Sequence, residues 1–213
     1  MPVITGGSAS NVTRKGYTVT ATVESDSRIT RAGLYVWTEK NGQDDLKWKE
    51  ASVKNNGNGK YTVTCEVEAS EHNNESGVYN THVYVYSAAG KQTSYAISKT
   101  ALPENQIPVI SDVKVTNVTT EGYTVTCKVN DPDGKVTRVE FPTWTLANGQ
   151  DDITWQQGKI EGDTATFEVK VTDHRGESGA YQTHIYAYDD AGAQTSIALS
   201  LIHISEPTRH AQI

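Results

Sequence analysis

Apolar and polar positions alternate with a period of two along most of the chain. Tyr17, Val19, Ala21 and Val23 interleave with Thr18, Thr20 and Thr22, and Tyr123, Val125, Cys127 and Val129 repeat the pattern later. The stretches 61–69 and 79–86 alternate likewise. Successive side chains of a strand point to opposite faces, so this period predicts strands with one face in a core and the other toward water. Turn signals such as "NNGNG", "DPDG" and "AAG" punctuate them. No segment sustains the 3.6-residue apolar period of an amphipathic helix. The fold class predicted is all-β.

The pattern also repeats at long range. "NVTRKGYTVTATV" from Asn11 returns as "NVTTEGYTVTCKV" from Asn117, and "HNNESGVYNTHVYVYSAAGKQTS" from His72 as "HRGESGAYQTHIYAYDDAGAQTS" from His174. Such repetition predicts two tandem immunoglobulin-like β-sandwich modules, each of about 95 residues, a common size for that fold. They are expected over 1–100 and 107–198, with a linker over 101–106. "ALPENQIP" (Ala101–Pro108) holds two prolines and almost no core material, which reads as a short stiff connection. From Leu199 the chain reads "LSLIHISEPTRHAQI", which breaks the repeat. That segment is similar to the translation of a transposase-based sequencing adapter. Residues 199–213 are therefore expected to be foreign, disordered and dispensable, His203 and His210 are not read as ligands, and the chain is expected to be a fragment of a longer protein.

Composition narrows the picture. Apolar residues make up 36% and the mean hydropathy is −0.56, so the cores must be small and the surface extensive. Eleven Tyr and four Trp against two Phe suit half-buried strands. No apolar run is long enough to span a membrane, and no charged-then-apolar signal segment follows Met1. Residues 1–102 hold 11 Lys+Arg and 10 Asp+Glu, a net +1, whereas residues 103–213 hold 8 and 16, a net −8. A face-wide basic patch is implausible in the second half, which argues against nucleic acid as a partner. Cys65 and Cys127 align with Phe167 and Ala21 of the other repeat, so they read as buried thiols rather than a disulfide.

The candidate chemistry centres on an octapeptide that occurs twice, "NGQDDLKW" at Asn41–Trp48 and "NGQDDITW" at Asn148–Trp155. Asn-Gly favours a turn with positive φ, and an Asp can accept backbone N–H groups within it. The same loop also displays amide, carboxylate and indole, which suit a sugar's hydroxyls and flat apolar face. Asn41, Gln43, Asp44, Asp45 and Trp48, with Asn148, Gln150, Asp151, Asp152 and Trp155, are thus either turn residues, ligand contacts or both. Strand alternation adds a second group. With Tyr79, Thr81, Val83 and Val85 inward, His82 and Tyr84 face outward, as do His184 and Tyr186 in the repeat. Trp37 and Trp144 either join them on that sheet, beside the loop, or point inward as core tryptophans.

His72 with Glu75, and His174 with Glu177, spell H-x-x-E, but a metal needs three or four convergent ligands. An imidazole bonding a backbone carbonyl is the simpler account. "NDPDGK" at Asn130 lacks the full calcium-loop series and reads as a hairpin turn. No nucleophile elbow, H-E-x-x-H or phosphate loop is present. No catalysis, cofactor or metal is expected of this chain.

The pattern W-x3-NGQDD-x2-W followed by H-x2-E-S-G-x-Y-x-T-H-[VI]-Y resembles the GBS Bsp-like repeat, a module of streptococcal and related Gram-positive surface proteins. The resemblance covers Val3 to about Ser98 and Ile107 to about Ser196. It implies exported, wall-associated accessory modules attached to peptidoglycan hydrolases such as amidases and muramidases. Peptidoglycan or a wall glycan is then the expected partner of a monomeric, extracellular protein; a spacer without any ligand is the alternative. The resemblance carries over no binding residue one by one. "GLYVW" in the first repeat against "EFPTW" in the second implies that the two rims differ.

Overall fold

The computed structural model describes residues 1–206, so the last part of the expected foreign tail, with His210, lies outside the described residues. The chain divides between Asn105 and Gln106 into two units, each with its own core. The first holds β1 (Val3–Thr13), β2 (Gly16–Glu24), β3 (Ile29–Thr38), β4 (Lys47–Glu50), β5 (Ser52–Gly57), β6 (Lys60–Glu68), β7 (Gly77–Ser87), β8 (Gln92–Ala96) and β9 (Thr100–Leu102). These strands form two antiparallel sheets, β1-β2-β6-β5 and β4-β3-β7-β8, with β9 also paired to β7. The second holds β10 (Val109–Thr116), β11 (Gly122–Asn130), β12 (Val136–Glu140), β13 (Thr143–Thr145), β14 (Lys159–Glu161), β15 (Thr164–Lys170), β16 (Gly179–Asp189), β17 (Gln194–Ala198) and β18 (Ile202–Ile204). Its sheets are β10-β11-β15-β14 and a group built on β16, which pairs with β12, β13, β17 and β18.

Each unit is an immunoglobulin-like β-sandwich, and the alternation explains why. Tyr17, Val19, Ala21 and Val23 of β2 face Leu34 and Val36 of β3 and Val83 and Val85 of β7, all buried. Buried hydroxyls need partners. Tyr17 and Thr81 share a hydrogen bond of 2.5 Å, Tyr123 and Thr183 one of 2.6 Å, and burial pushes both phenols up to about 12. Cys65 and Cys127 are free and buried, and burial raises both thiols, that of Cys127 to about 11.

The two cores are filled differently. Leu34 and Cys65 give way to Phe141 and Phe167, whose rings stack at 5.2 Å. Ala51 and Gly158 occupy equivalent places, their N–H groups bonding Ala32 and Val139. A Cβ at Gly158 would lie 2.4 Å from Phe141, so the larger ring requires the glycine. The strand that is continuous as β3 also breaks into β12 and β13. Pro142 stands there in place of Tyr35 and has no N–H to continue a ladder.

Two expectations need correction. The span 101–106 is not all linker, because Leu102 ends β9, pairs with Gly77 and is buried. Nor is the tail from Leu199 without a counterpart. Ile202–Ile204 pairs with Gly179–Tyr181 as Thr100–Leu102 pairs with Gly77–Tyr79, and Ile204 is 1% exposed. Ile-His-Ile alternates apolar and polar, and an unpaired strand edge over a core asks for nothing more, whatever the segment's origin.

Candidate functional site

The octapeptide loop leaves β3 after Thr38 and returns as β4. Gly42 and Gly149 sit at φ +78° and +76°, the turn geometry that Asn-Gly favours. Asn41, Gln43 and Asp44 are exposed, as are Asn148, Gln150 and Asp151. Asp151 is held by the Arg175 guanidinium, which also donates to its backbone carbonyl at 3.0 Å.

The second aspartate of each loop behaves differently. Asp45 is 6% exposed and accepts the Thr38 N–H at 3.0 Å, while its other oxygen meets His72 Nδ1 at 2.9 Å. Asp152 does the same with the Thr145 N–H at 3.1 Å and His174 Nδ1 at 3.0 Å. Thr38 and Thr145 donate their hydroxyls to Glu75 and Glu177, whose backbone carbonyls accept the Tyr79 and Tyr181 hydroxyls at 2.7 and 2.6 Å. Thus the H-x-x-E motif and the loop are one buried clamp that fastens the β3–β4 loop to the β6–β7 connection. Of the two alternatives Asp45 and Asp152 take the structural one, being buried and bonded within the fold rather than open to a ligand, and the imidazoles bond carboxylates rather than backbone carbonyls. Among the described residues, no cluster of three or more His, Cys, Asp and Glu is placed to hold a metal.

The outer face of the same sheet carries the remaining candidates. As expected, β3 and β7 are neighbours, and their register sets Arg31 opposite Tyr86, Gly33 opposite Tyr84, Tyr35 opposite His82 and Trp37 opposite Asn80. Trp37 is half-buried against His82, ring centroids 5.0 Å apart, and Tyr35 meets Tyr84 at 5.5 Å and Trp48 at 5.0 Å. In the second unit Trp144 lies 5.0 Å from His184, which stacks over Tyr186 at 6.5 Å, and Tyr186 lies 5.1 Å from Trp155. Trp144 is only 7% exposed, so of its two alternatives the displayed one is excluded, although its ring lies against His184. Trp155 is displayed instead.

The GBS Bsp-like repeat model matches residues 8–100 and 112–201. The chain belongs to the GBS Bsp-like repeat family. Comparison with curated proteins found no match. Similar solved structures include fibronectin(III)-like modules of CbhA from Clostridium thermocellum, at 19% identity over all of both chains with a TM-score of 0.39. A tetra-tandem repeat in the extending region of a large adhesion protein shares 15% identity over 93% of this chain and 48% of that one, TM-score 0.44. A polysaccharide deacetylase from Bacillus cereus shares 17% over 47% of this chain and 31% of that one, TM-score 0.35. No helix among the described residues is long and apolar enough to cross a membrane.

Sequence reasoning missed an arginine on the face of each Bsp-like repeat. Arg31 lies 4.8 Å from the Trp48 ring and binds Glu50, its Nε 2.9 Å from Oε1; the guanidinium holds the Glu50 carboxyl below its ordinary range. Arg138 lies 3.7 Å from the Tyr188 ring and bonds Glu140 at 3.0 Å. Both stand six residues before the tryptophans Trp37 and Trp144. A residue-by-residue alignment of the repeats would have exposed them.

Proposed function

We propose that the two Bsp-like repeats are non-catalytic wall-targeting modules of an exported Gram-positive surface protein, holding a peptidoglycan hydrolase on wall glycan. The observation that carries this reading is the row of rings on one sheet face of each unit, Trp37–His82 and Trp144–His184–Tyr186–Trp155, flanked by a guanidinium–carboxylate pair. Flat apolar faces beside planar hydrogen-bonding groups suit pyranose rings, whose edges are polar and whose faces are not. The protein would act extracellularly, at the wall, as a monomer. Two weak modules on one polymer gain from effective concentration.

Retention on purified peptidoglycan sacculi tests the reading. The chain should be retained, and retention should survive moderate salt, since ring contacts are not screened as exposed charges are. Removing an aromatic at an interface centre commonly costs about 2 kcal/mol or more, roughly thirtyfold in affinity. Tyr84→Ala with Tyr186→Ala should therefore release the chain while circular dichroism still reports a folded sandwich.

The clamp favours a second reading. Because Asp45, His72 and their counterparts are consumed in folding, much of the repeated motif has a structural cause, and the modules would be rigid spacers. A wild-type chain that never binds sacculi would establish that role.

A further inference from the structure

Besides the change of Tyr35 to Pro142, the two ring faces differ at one exchanged pair of positions. In the first unit Gly33 lies under Trp48: a Cβ there would sit 2.2 Å from Cζ2 of the indole. Trp48 therefore lies in a slot over Gly33, between Arg31 at 4.8 Å and Tyr35 at 5.0 Å, with its Nε1 donating to Glu50 Oε1 at 2.7 Å. In the second unit the position opposite Tyr186 is Glu140, as Gly33 is opposite Tyr84. The residue bridging to it is Gln157, where the first unit has Glu50. The carboxylate that holds the arginine has moved from the edge segment to the central strand. Glu140, bonded to Arg138 at 3.0 Å, stands at the position that a slot would need clear, and Trp155 stands 53% exposed.

We propose that the second unit grips the ligand through Trp155, that the Gly33/Glu140 exchange decides which indole is displayed, and that the ligand is an uncharged glycan strand. The inference rests on the wall-glycan reading above and divides it unequally: the second unit supplies the main grip, and the first a weaker one. A clamped indole has already spent one face and its N–H on its own chain, whereas Trp155 offers its ring to a partner beside Tyr186. Net charge selects the glycan. Residues 103–213 carry a net −8, and a field of that sign repels phosphate-bearing polymers. Indole, phenol and the exposed Gln157 amide need no charge on the ligand.

The test uses the full chain and sacculi stripped of anionic wall polymers. Trp155→Ala should lower retention roughly tenfold or more, as loss of an interface anchor does, and Trp155→Tyr should restore most of it. Trp48→Ala should leave retention within about twofold. Gly33→Glu with Glu50→Gln gives the first unit the second unit's pair; it should raise acrylamide quenching of tryptophan and increase retention. Equal losses from Trp48→Ala and Trp155→Ala would overturn the division of labour while leaving wall binding intact. Unchanged quenching in the Gly33/Glu50 exchange would overturn the display rule. Tighter binding to unstripped sacculi would overturn the uncharged ligand. A wild-type chain that is not retained removes the wall-glycan reading itself, and the grip with it.

Discussion

The clamp and the ring face sit a few residues apart on the same strands, yet they differ in how far the two units agree. The clamp is preserved atom for atom. Asp45, His72, Thr38, Glu75 and Tyr79 make the same bonds as Asp152, His174, Thr145, Glu177 and Tyr181. The face is not. Tyr35 becomes Pro142, Gly33 becomes Glu140, and the tryptophan after the loop moves from a slot to the surface. A missing partner is costly for a buried polar group, so a clamp of coupled bonds favours changing as a whole or not at all. A solvated face has no such coupling, and each unit can present a different surface from an unchanged frame.

The clamp should dominate stability in both units. Asp45→Ala strands the buried His72 imidazole and the Thr38 N–H, and leaving a buried donor without its acceptor costs about 1–3 kcal/mol each. Calorimetry of the full chain should show one transition lowered by Asp45→Ala and the other by Asp152→Ala, by similar amounts. A small or unequal effect would break the claim of equivalence.

The closing strands should come next. Ile204→Ala removes a buried side chain of β18, and such truncations cost about 2–5 kcal/mol; Leu102→Ala in β9 should match it. Exchanging residues 199–206 for the sequence of residues 97–104 should leave the second unit folded with its β16 edge paired. Unchanged stability in Ile204→Ala would show that the segment does not pack as described.

The repacked core gives a smaller and more diagnostic effect. Gly158→Ala places a methyl against Phe141, and overpacking of this kind costs about 1–3 kcal/mol. Adding Phe141→Leu, the residue that the first unit uses as Leu34, should relieve part of the loss. A double-mutant cycle with no coupling would detach the glycine from the ring.

The smallest effect concerns charge. Asp131 is buried where the first unit has Ser25, and burial, with Asp133 and Asp189 nearby, raises its carboxyl above the ordinary range. A raised carboxyl contributes stability only below its unfolded value, about 3.9, and loses it as pH rises through the folded value. Asp131→Asn should therefore raise the second unit's melting temperature near neutral pH and give no gain below about pH 4. A gain that persists in acid would mean another cause.

Much of the architecture was legible in the chain. A period of two forces alternate residues to opposite faces, so the inward positions of β2, β7, β11 and β16 follow from the letters, as do two modules from the repeat. The octapeptide could be read as a turn because Asn-Gly chemistry is local. Its second aspartate could not be assigned, because its partners Thr38 and His72 lie seven and 27 residues away and only the packed sandwich brings them together. The fates of the tryptophans were equally distant matters. Whether Trp48 lies flat or Trp155 stands free depends on the residue across the sheet, Gly33 or Glu140, and the tail's pairing depends on an open edge of β16. The sequence by itself determined the β-sandwich and its repetition, through periods and turns that act between neighbours in the chain. Which polar groups are consumed and which rings are displayed was decided by the tertiary structure alone, since desolvation and ring packing depend on neighbours in space.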